Sequence, residues 1–168
     1  MSKIDRRQYM TAGGAAVIGG LIGYFGHSTI NSDSNFSLST TSDDTIKIGA
    51  TLPLSGAYSP VAGSFENLYL TWAEMINERG GIYIKEQGKR LPVEFIIYDD
   101  QSDHATAIRL YTKLIENDNV DVLIGPYSST LTIPIVPIVT DAQVPLIATT
   151  AAAPPIFNQG SEWVFAGI

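Results

Sequence analysis

Val120-Asp121-Val122-Leu123-Ile124-Gly125-Pro126-Tyr127-Ser128-Ser129 reads as a buried strand that runs through a tight turn into a helix. The apolar run closes at Gly125, a Pro, a Tyr and two hydroxyl residues follow, and a helical pattern then begins. The start of a helix carries unpaired N–H groups and about half a positive charge, so it attracts carboxylates. Ser128 and Ser129 stand where such a site needs hydroxyl donors. The alternative reading makes them simple N-caps, worth about 1 kcal/mol each; capping and ligand binding are compatible. On the first reading the protein holds a small anionic or zwitterionic ligand rather than transforming one.

Outward from this stretch, strands and helices alternate. Residues 46–52 read as a buried strand ending at Pro53. Residues 60–79 read as a helix with Phe65, Leu68, Trp72, Met75 and Ile76 on one face, so Trp72 is assigned to the core. Gly80-Gly81 stops that helix. It is no phosphate loop, because no strand precedes it and no G-x-G-x-x-G follows. Residues 91–98 form a second strand. Ser102 or Asp103 caps the next helix, which runs to about Asn117 with Ile108, Tyr111, Leu114 and Ile115 inward. Residues 129–143 form a third helix, kinked or broken early because Pro134 and Pro137 fall within it. Residues 145–148 and 163–167 supply two further strands. This order implies an α/β domain with a doubly wound parallel sheet. Ligands in such sheets bind outside the carboxyl ends of the strands, here the loops 55–62, 99–103, 125–129 and 149–153.

Composition narrows the chemistry. The 168 residues are 45% hydrophobic, enough for one domain with a core. No cysteine is present, which excludes disulfides, thiolate metal sites and cysteine nucleophiles. The two histidines, His27 and His104, lie in separate segments, and His104 reads as a solvated residue in a first helical turn. Asp99, Asp100 and Asp103 lack the glycine and terminal glutamate of a calcium loop, so no metal site is assigned. A net charge of −7 argues against nucleic acid.

Residues 1–26 read as an export segment. Lys3, Arg6 and Arg7 form a positive start, and 10–25 is uncharged and rich in Gly and Ala. Arg6-Arg7 in Ile4-Asp5-Arg6-Arg7-Gln8-Tyr9-Met10 resembles the twin-arginine motif. A general secretion signal and an uncleaved membrane anchor are the alternatives. Residues 27–45, dominated by Ser, Thr, Asn and Asp, read as a flexible tether, and 46–168 as the folded body.

The body carries an ordered series of short matches: Ile46-Lys47-Ile48-Gly49, Pro53-Leu54-Ser55-Gly56, Ile76-Asn77-Glu78-Arg79-Gly80-Gly81-Ile82, Tyr98-Asp99-Asp100-Gln101-Ser102-Asp103, Lys113-Leu114-Ile115, Gly125-Pro126-Tyr127-Ser128-Ser129, Val144-Pro145-Leu146-Ile147, Ala151-Ala152-Ala153-Pro154 and Val164-Phe165. In order and spacing they resemble the substrate-binding proteins of branched-chain amino acid ABC transporters, with the Rossmann-like type I periplasmic-binding fold. The resemblance implies that 46–168 is the first of two lobes, with the second one missing from this chain. It implies a serine grip on the ligand's α-carboxylate at Ser129, with Ser128 beside it. It also implies a further grip from a turn after the fourth strand, matching Thr150-Ala151-Ala152. The threonine expected in that turn is replaced by Ala152, for which Thr149 or Thr150 is the substitute. Ser55, Tyr58 and Ala62 of the first loop are expected near the ligand. Tyr127 is either a lid over the ligand or ordinary packing.

The function implied is that of an extracytoplasmic solute-binding component of an ABC importer. Its expected partners are a small amino-acid-like ligand and permease subunits, with no cofactor. A sensory domain of the same fold is the alternative. A small α/β enzyme is the third reading, and no nucleophile–base pair in the sequence supports it.

Overall fold

The apolar run at 46–52 forms β1 (Ile46–Leu52), followed by α1 (Ser59–Ala62), α2 (Phe65–Glu78), β2 (Ile82–Ile84), β3 (Lys89–Leu91) and β4 (Val93–Asp99). Then come α3 (His104–Glu116), β5 (Val122–Ile124), α4 (Ser129–Thr132), α5 (Ile135–Ala142), β6 (Leu146–Ala148), α6 (Pro154–Phe157) and β7 (Val164–Ala166). The computed structural model describes residues 44–167. The export segment at 1–26 and nearly all of the tether lie outside the described residues. Among the described residues no helix is long and apolar enough to cross a membrane.

β4, β1, β5, β6 and β7 make one five-stranded sheet in that order, parallel throughout. From β1 the chain goes to one neighbour, β4, and then returns past β1 to β5 on the other side. The order therefore reverses between β1 and β5. That position is the topological switch point, where the loops leaving adjacent strands diverge and open a crevice.

Alternation along β5 places Leu123 and Ile124 on opposite faces. Leu123 and Leu146 pack with Tyr111 and Leu114 of α3 and with Ile135 and Val139 of α5. Ile124 packs on the other face with Ile48, Val93 and Phe95, beneath Ala73 and Ile76 of α2. Both faces carry helices, as a parallel sheet requires. The 129–143 helix is broken as expected: Ile133 and Pro134 separate α4 from α5.

Three expectations are corrected. The helix at 60–79 is divided at Gly63 and Ser64, and of its assigned inward face only Phe65 and Ile76 turn inward. Leu68, Trp72 and Met75 are 58%, 41% and 47% exposed, so Trp72 is no core residue. The inward row is Phe65, Tyr69, Ala73 and Ile76, at the same helical spacing one residue on. Ile108 of α3 is exposed, because the inward face is set by Ala107, Leu110, Tyr111, Leu114 and Ile115. The strand expected at 91–98 is two elements, since β3 pairs antiparallel with β2 and Pro92 separates it from β4. Gly81 begins this hairpin with φ +86, and a Cβ there would lie 2.0 Å from the Leu91 carbonyl oxygen, so glycine is required.

Candidate functional site

The turn after β5 sits at the switch point. Its special backbone is at Ser128, φ 84 and ψ 147, rather than at Gly125, where a Cβ would make ordinary contact with Ala148 at 3.5 Å. An L-residue in this region is strained by ~1–3 kcal/mol. Ser128 Oγ accepts a long bond from Leu131 N–H at 3.5 Å and pairs with Thr130 Oγ1 at 3.0 Å. Ser129 Oγ accepts the Ala153 N–H at 3.2 Å, which ties this turn to the loop after β6 and leaves the Ser129 hydroxyl proton to donate elsewhere. The break after Thr132 limits α4 to one turn. Local N–H groups, not a long aligned dipole, are therefore what this turn offers an anion. Beneath it, Tyr111 donates to the Ile124 carbonyl at 2.5 Å, and burial pushes that phenol well above its ordinary value, so it stays a neutral donor.

The loop after β6 supplies the opposite wall. Thr150 Oγ1 donates to the Pro126 carbonyl at 3.4 Å, and Thr149 Oγ1 meets the Tyr69 hydroxyl at 3.4 Å. Ala152 is exposed, but Ala151 is fully buried against Val136 and Ile156. Ala62 is equally buried at the end of α1. Neither Ala62 nor Ala151 therefore presents surface to solvent in this structure.

Ser55 belongs to a third region, where the loop after β1 is tied to the loop after β4. Its hydroxyl and N–H both donate to Asp99, at 2.6 and 3.1 Å. Ser102 Oγ donates to the Ser55 carbonyl at 3.1 Å and accepts the Tyr58 N–H at 3.0 Å. Gly56, φ +83, lies so close that a Cβ would come 2.2 Å from the Gln101 carbonyl oxygen. Ser55 is therefore a loop fastener in this arrangement. Asp103 is the cap of α3, accepting Thr106 N–H at 2.8 Å, and that bond holds its carboxyl below the ordinary range.

Asp99 and Asp100 titrate in opposite directions. Burial works to raise Asp99, but the bonds from the Ser55 hydroxyl and from the Gln101 and Ser55 N–H groups outweigh it and hold the carboxyl low. Burial raises Asp100, which is fully enclosed, despite bonds from Thr51 Oγ1 at 2.8 Å and Ser102 N–H at 2.9 Å. Asp99 adds stability above the ordinary carboxylate range, lost as pH falls through its depressed folded value. Asp100 has the other sign. Its unfolded carboxyl ionises first, so stability falls as pH rises from about 3.9 through its raised folded value. Asp100→Asn removes only the second effect. The melting temperature of the variant relative to the parent should climb between about pH 3 and about pH 7, followed by circular dichroism. A difference flat across that range would show that Asp100 titrates normally.

A row of aromatic rings lines the same edge, and the sequence reading missed most of it. Tyr127 lies 5.6 Å from Tyr58 and 6.1 Å from Phe65, ring centre to ring centre. Phe65 lies 6.5 Å from Tyr69, and Tyr69 stacks on Phe95 at 5.4 Å. The signal was the i, i+4 spacing of Phe65 and Tyr69, which the assignment of Leu68 and Trp72 to the inward face obscured. Among the described residues no cluster of His, Cys, Asp and Glu could hold a metal ion.

Comparison with known proteins places this geometry in context. Residues 45–166 match the family model described as periplasmic binding protein. The leucine-, isoleucine-, valine-, threonine- and alanine-binding protein of Pseudomonas aeruginosa is 33% identical over 122 residues, covering 73% of this chain and 31% of that protein. The branched-chain amino acid transporter substrate-binding protein LivJ of Streptococcus pneumoniae, solved with isoleucine, is 30% identical with a TM-score of 0.64, over 73% of this chain and 33% of that one. A solute-binding protein of an ABC transporter from Rhodopseudomonas palustris, solved with 3,4-dihydroxybenzoic acid, is 27% identical with a TM-score of 0.60, over 74% of this chain and 32% of that one. The chain spans about a third of the length of each of these relatives.

Proposed function

The chain belongs to the periplasmic binding protein family, and from that premise we propose that it is part of an exported solute-binding component of an ABC importer, taking a small amino-acid-like carboxylate. The carrying observation is the Gly125–Ser129 turn at the switch point, bonded through Ser129 to the loop after β6. Two walls of a crevice are thereby held in register, and the Ser129 hydroxyl proton is available to a carboxylate. Ser128 adds a second hydroxyl, Thr149 and Thr150 stand on the facing wall, and Tyr58 and Tyr127 cover the mouth. The relatives named for leucine, isoleucine and valine make branched-chain amino acids the first solutes to test. Delivery to permease subunits is inferred from the same relatives, whose names describe binding rather than turnover.

Ligand-observed NMR of the full chain with isoleucine, leucine and valine, sensitive to millimolar affinity, tests the reading. Ser129→Ala is expected to weaken binding roughly tenfold or more, the size of a lost hydrogen bond to a charged group (~1.5–3 kcal/mol). Unchanged affinity in that variant would remove Ser129 from the carboxylate site.

A further inference from the structure

We infer that the solute selected here carries a flat aromatic body on its carboxylate, rather than a branched aliphatic one. The inference rests on the solute-binding reading above and adds the class of side group.

Tyr58, Tyr127, Phe65 and Tyr69 form an unbroken chain of ring contacts at 5.6, 6.1 and 6.5 Å. They come from three places: the loop after β1, the turn after β5, and the first two turns of α2. All three meet at the carboxyl edge of the sheet beside the reversal of strand order. All four rings are half-buried, neither closed into the core nor freely solvated. The true core next to them is largely aliphatic, built from Leu114, Leu123, Leu131, Ile135, Val139 and Leu146. Tyr111 is the one ring fully enclosed in that core, Tyr58 packs against it, and the four rings of the row gather at the site edge.

The row is also held in place before any solute arrives. The main chain at Tyr58 is held by its N–H bond to Ser102 and its ring packs against the core, while Tyr69 is held by its hydroxyl contact with Thr149 and its stacking on Phe95. Rings fixed in advance lose little freedom on binding. An aliphatic side chain gains only area burial against them. An aromatic one adds edge-to-face or offset ring pairs, with the positive edge of one ring against the negative face of another. The carboxylate anchor at Ser129 lies two residues from Tyr127, so a solute held there places its body against the row. The two relatives solved with small molecules hold isoleucine and 3,4-dihydroxybenzoate at similar identity to this chain. Overall similarity does not choose between the two, and the local residues do.

The test is competitive ligand-observed NMR on the full chain with four probes: 3,4-dihydroxybenzoate, phenylalanine, isoleucine and leucine. At least one aromatic probe should bind about fivefold or more tighter than either aliphatic one, the size expected of one or two ring pairs. Tyr127→Leu, which keeps apolar bulk and removes the ring, should narrow that ratio. Phe65→Leu repeats the test outside the turn, with circular dichroism confirming that each variant is folded. Equal or tighter binding of isoleucine or leucine overturns the inference and leaves the solute-binding reading standing. An aromatic preference untouched by both variants also overturns it, since the row would not be its source. No binding by any probe removes the solute-binding reading and this inference with it.

Discussion

Gly56→Ala is expected to destabilise the protein by about 3 kcal/mol, combining a strained positive φ (~1–3 kcal/mol) with forced overpacking (~1–3 kcal/mol). The contact it would violate is with backbone: the Gln101 carbonyl oxygen at 2.2 Å and its carbon at 2.8 Å. Neither atom can rotate away as a side-chain tip would. Gln101 and Ser102 already hold φ near +60, so the β4 loop has little slack to yield. The substitution should also loosen Ser55 from Asp99 and Tyr58 from Ser102, and with them one end of the aromatic row. Gly88→Ala is the control: φ is positive there too, but the added methyl meets nothing within 4 Å. Urea unfolding of the two variants separates backbone strain from collision. Equal losses would mean that the close approach of the two loops contributes nothing.

Leu123→Ala is expected to cost ~2–5 kcal/mol, the range for emptying a fully buried leucine site. Leu123 has no exposed surface and sits under α3 and α5 at the strand that feeds the site. Its Cδ2 reaches to within 2.9 Å of where a Cβ on Gly49 would stand, so it fills the space that glycine leaves in β1. Removing it opens a void among Leu114, Val120 and Leu146 that rigid strands cannot close. Leu123→Met, nearly equal in volume, should lose less than about 1.5 kcal/mol. If both variants lose the same amount in denaturant titration, shape rather than volume is the governing factor at this position.

The sheet was legible because its strands are written as apolar runs bounded by Pro, Gly or Asp, and because crossover handedness leaves few strand orders. Ile46–Leu52 was read with its observed bounds, and the interruption by Pro134 was foreseen from proline chemistry alone. Helical orientation was not legible at α2, where two apolar rows run side by side: Phe65, Tyr69, Ala73 and Ile76 beside Leu68, Trp72 and Met75. Periodicity reports that a row exists and is silent on which of two meets the sheet. The β2–β3 hairpin escaped because three-residue strands such as Lys89–Leu91 are too short to show alternation. At the site, residue types pointed to the Ser128–Ser129 turn. Yet the positive φ of the turn falls at Ser128 and not at its glycine, a tertiary choice that no local preference reveals. The full burial of Ala62 and Ala151 was not legible, because it depends on the tertiary packing of the chain rather than on local sequence.

The outer row of α2 gives the molecule an optical property. Trp72 is 41% exposed, with its ring edge-on to Phe95 at 6.1 Å, while Trp163, the other tryptophan, is half-buried. Indole emission moves to shorter wavelength, and quenching by acrylamide slows, when water is displaced from around the ring. Trp72 is therefore an intrinsic gauge of that flank. Any body that settles across α2 will announce itself as a blue shift, without a label and without a change elsewhere in the fold.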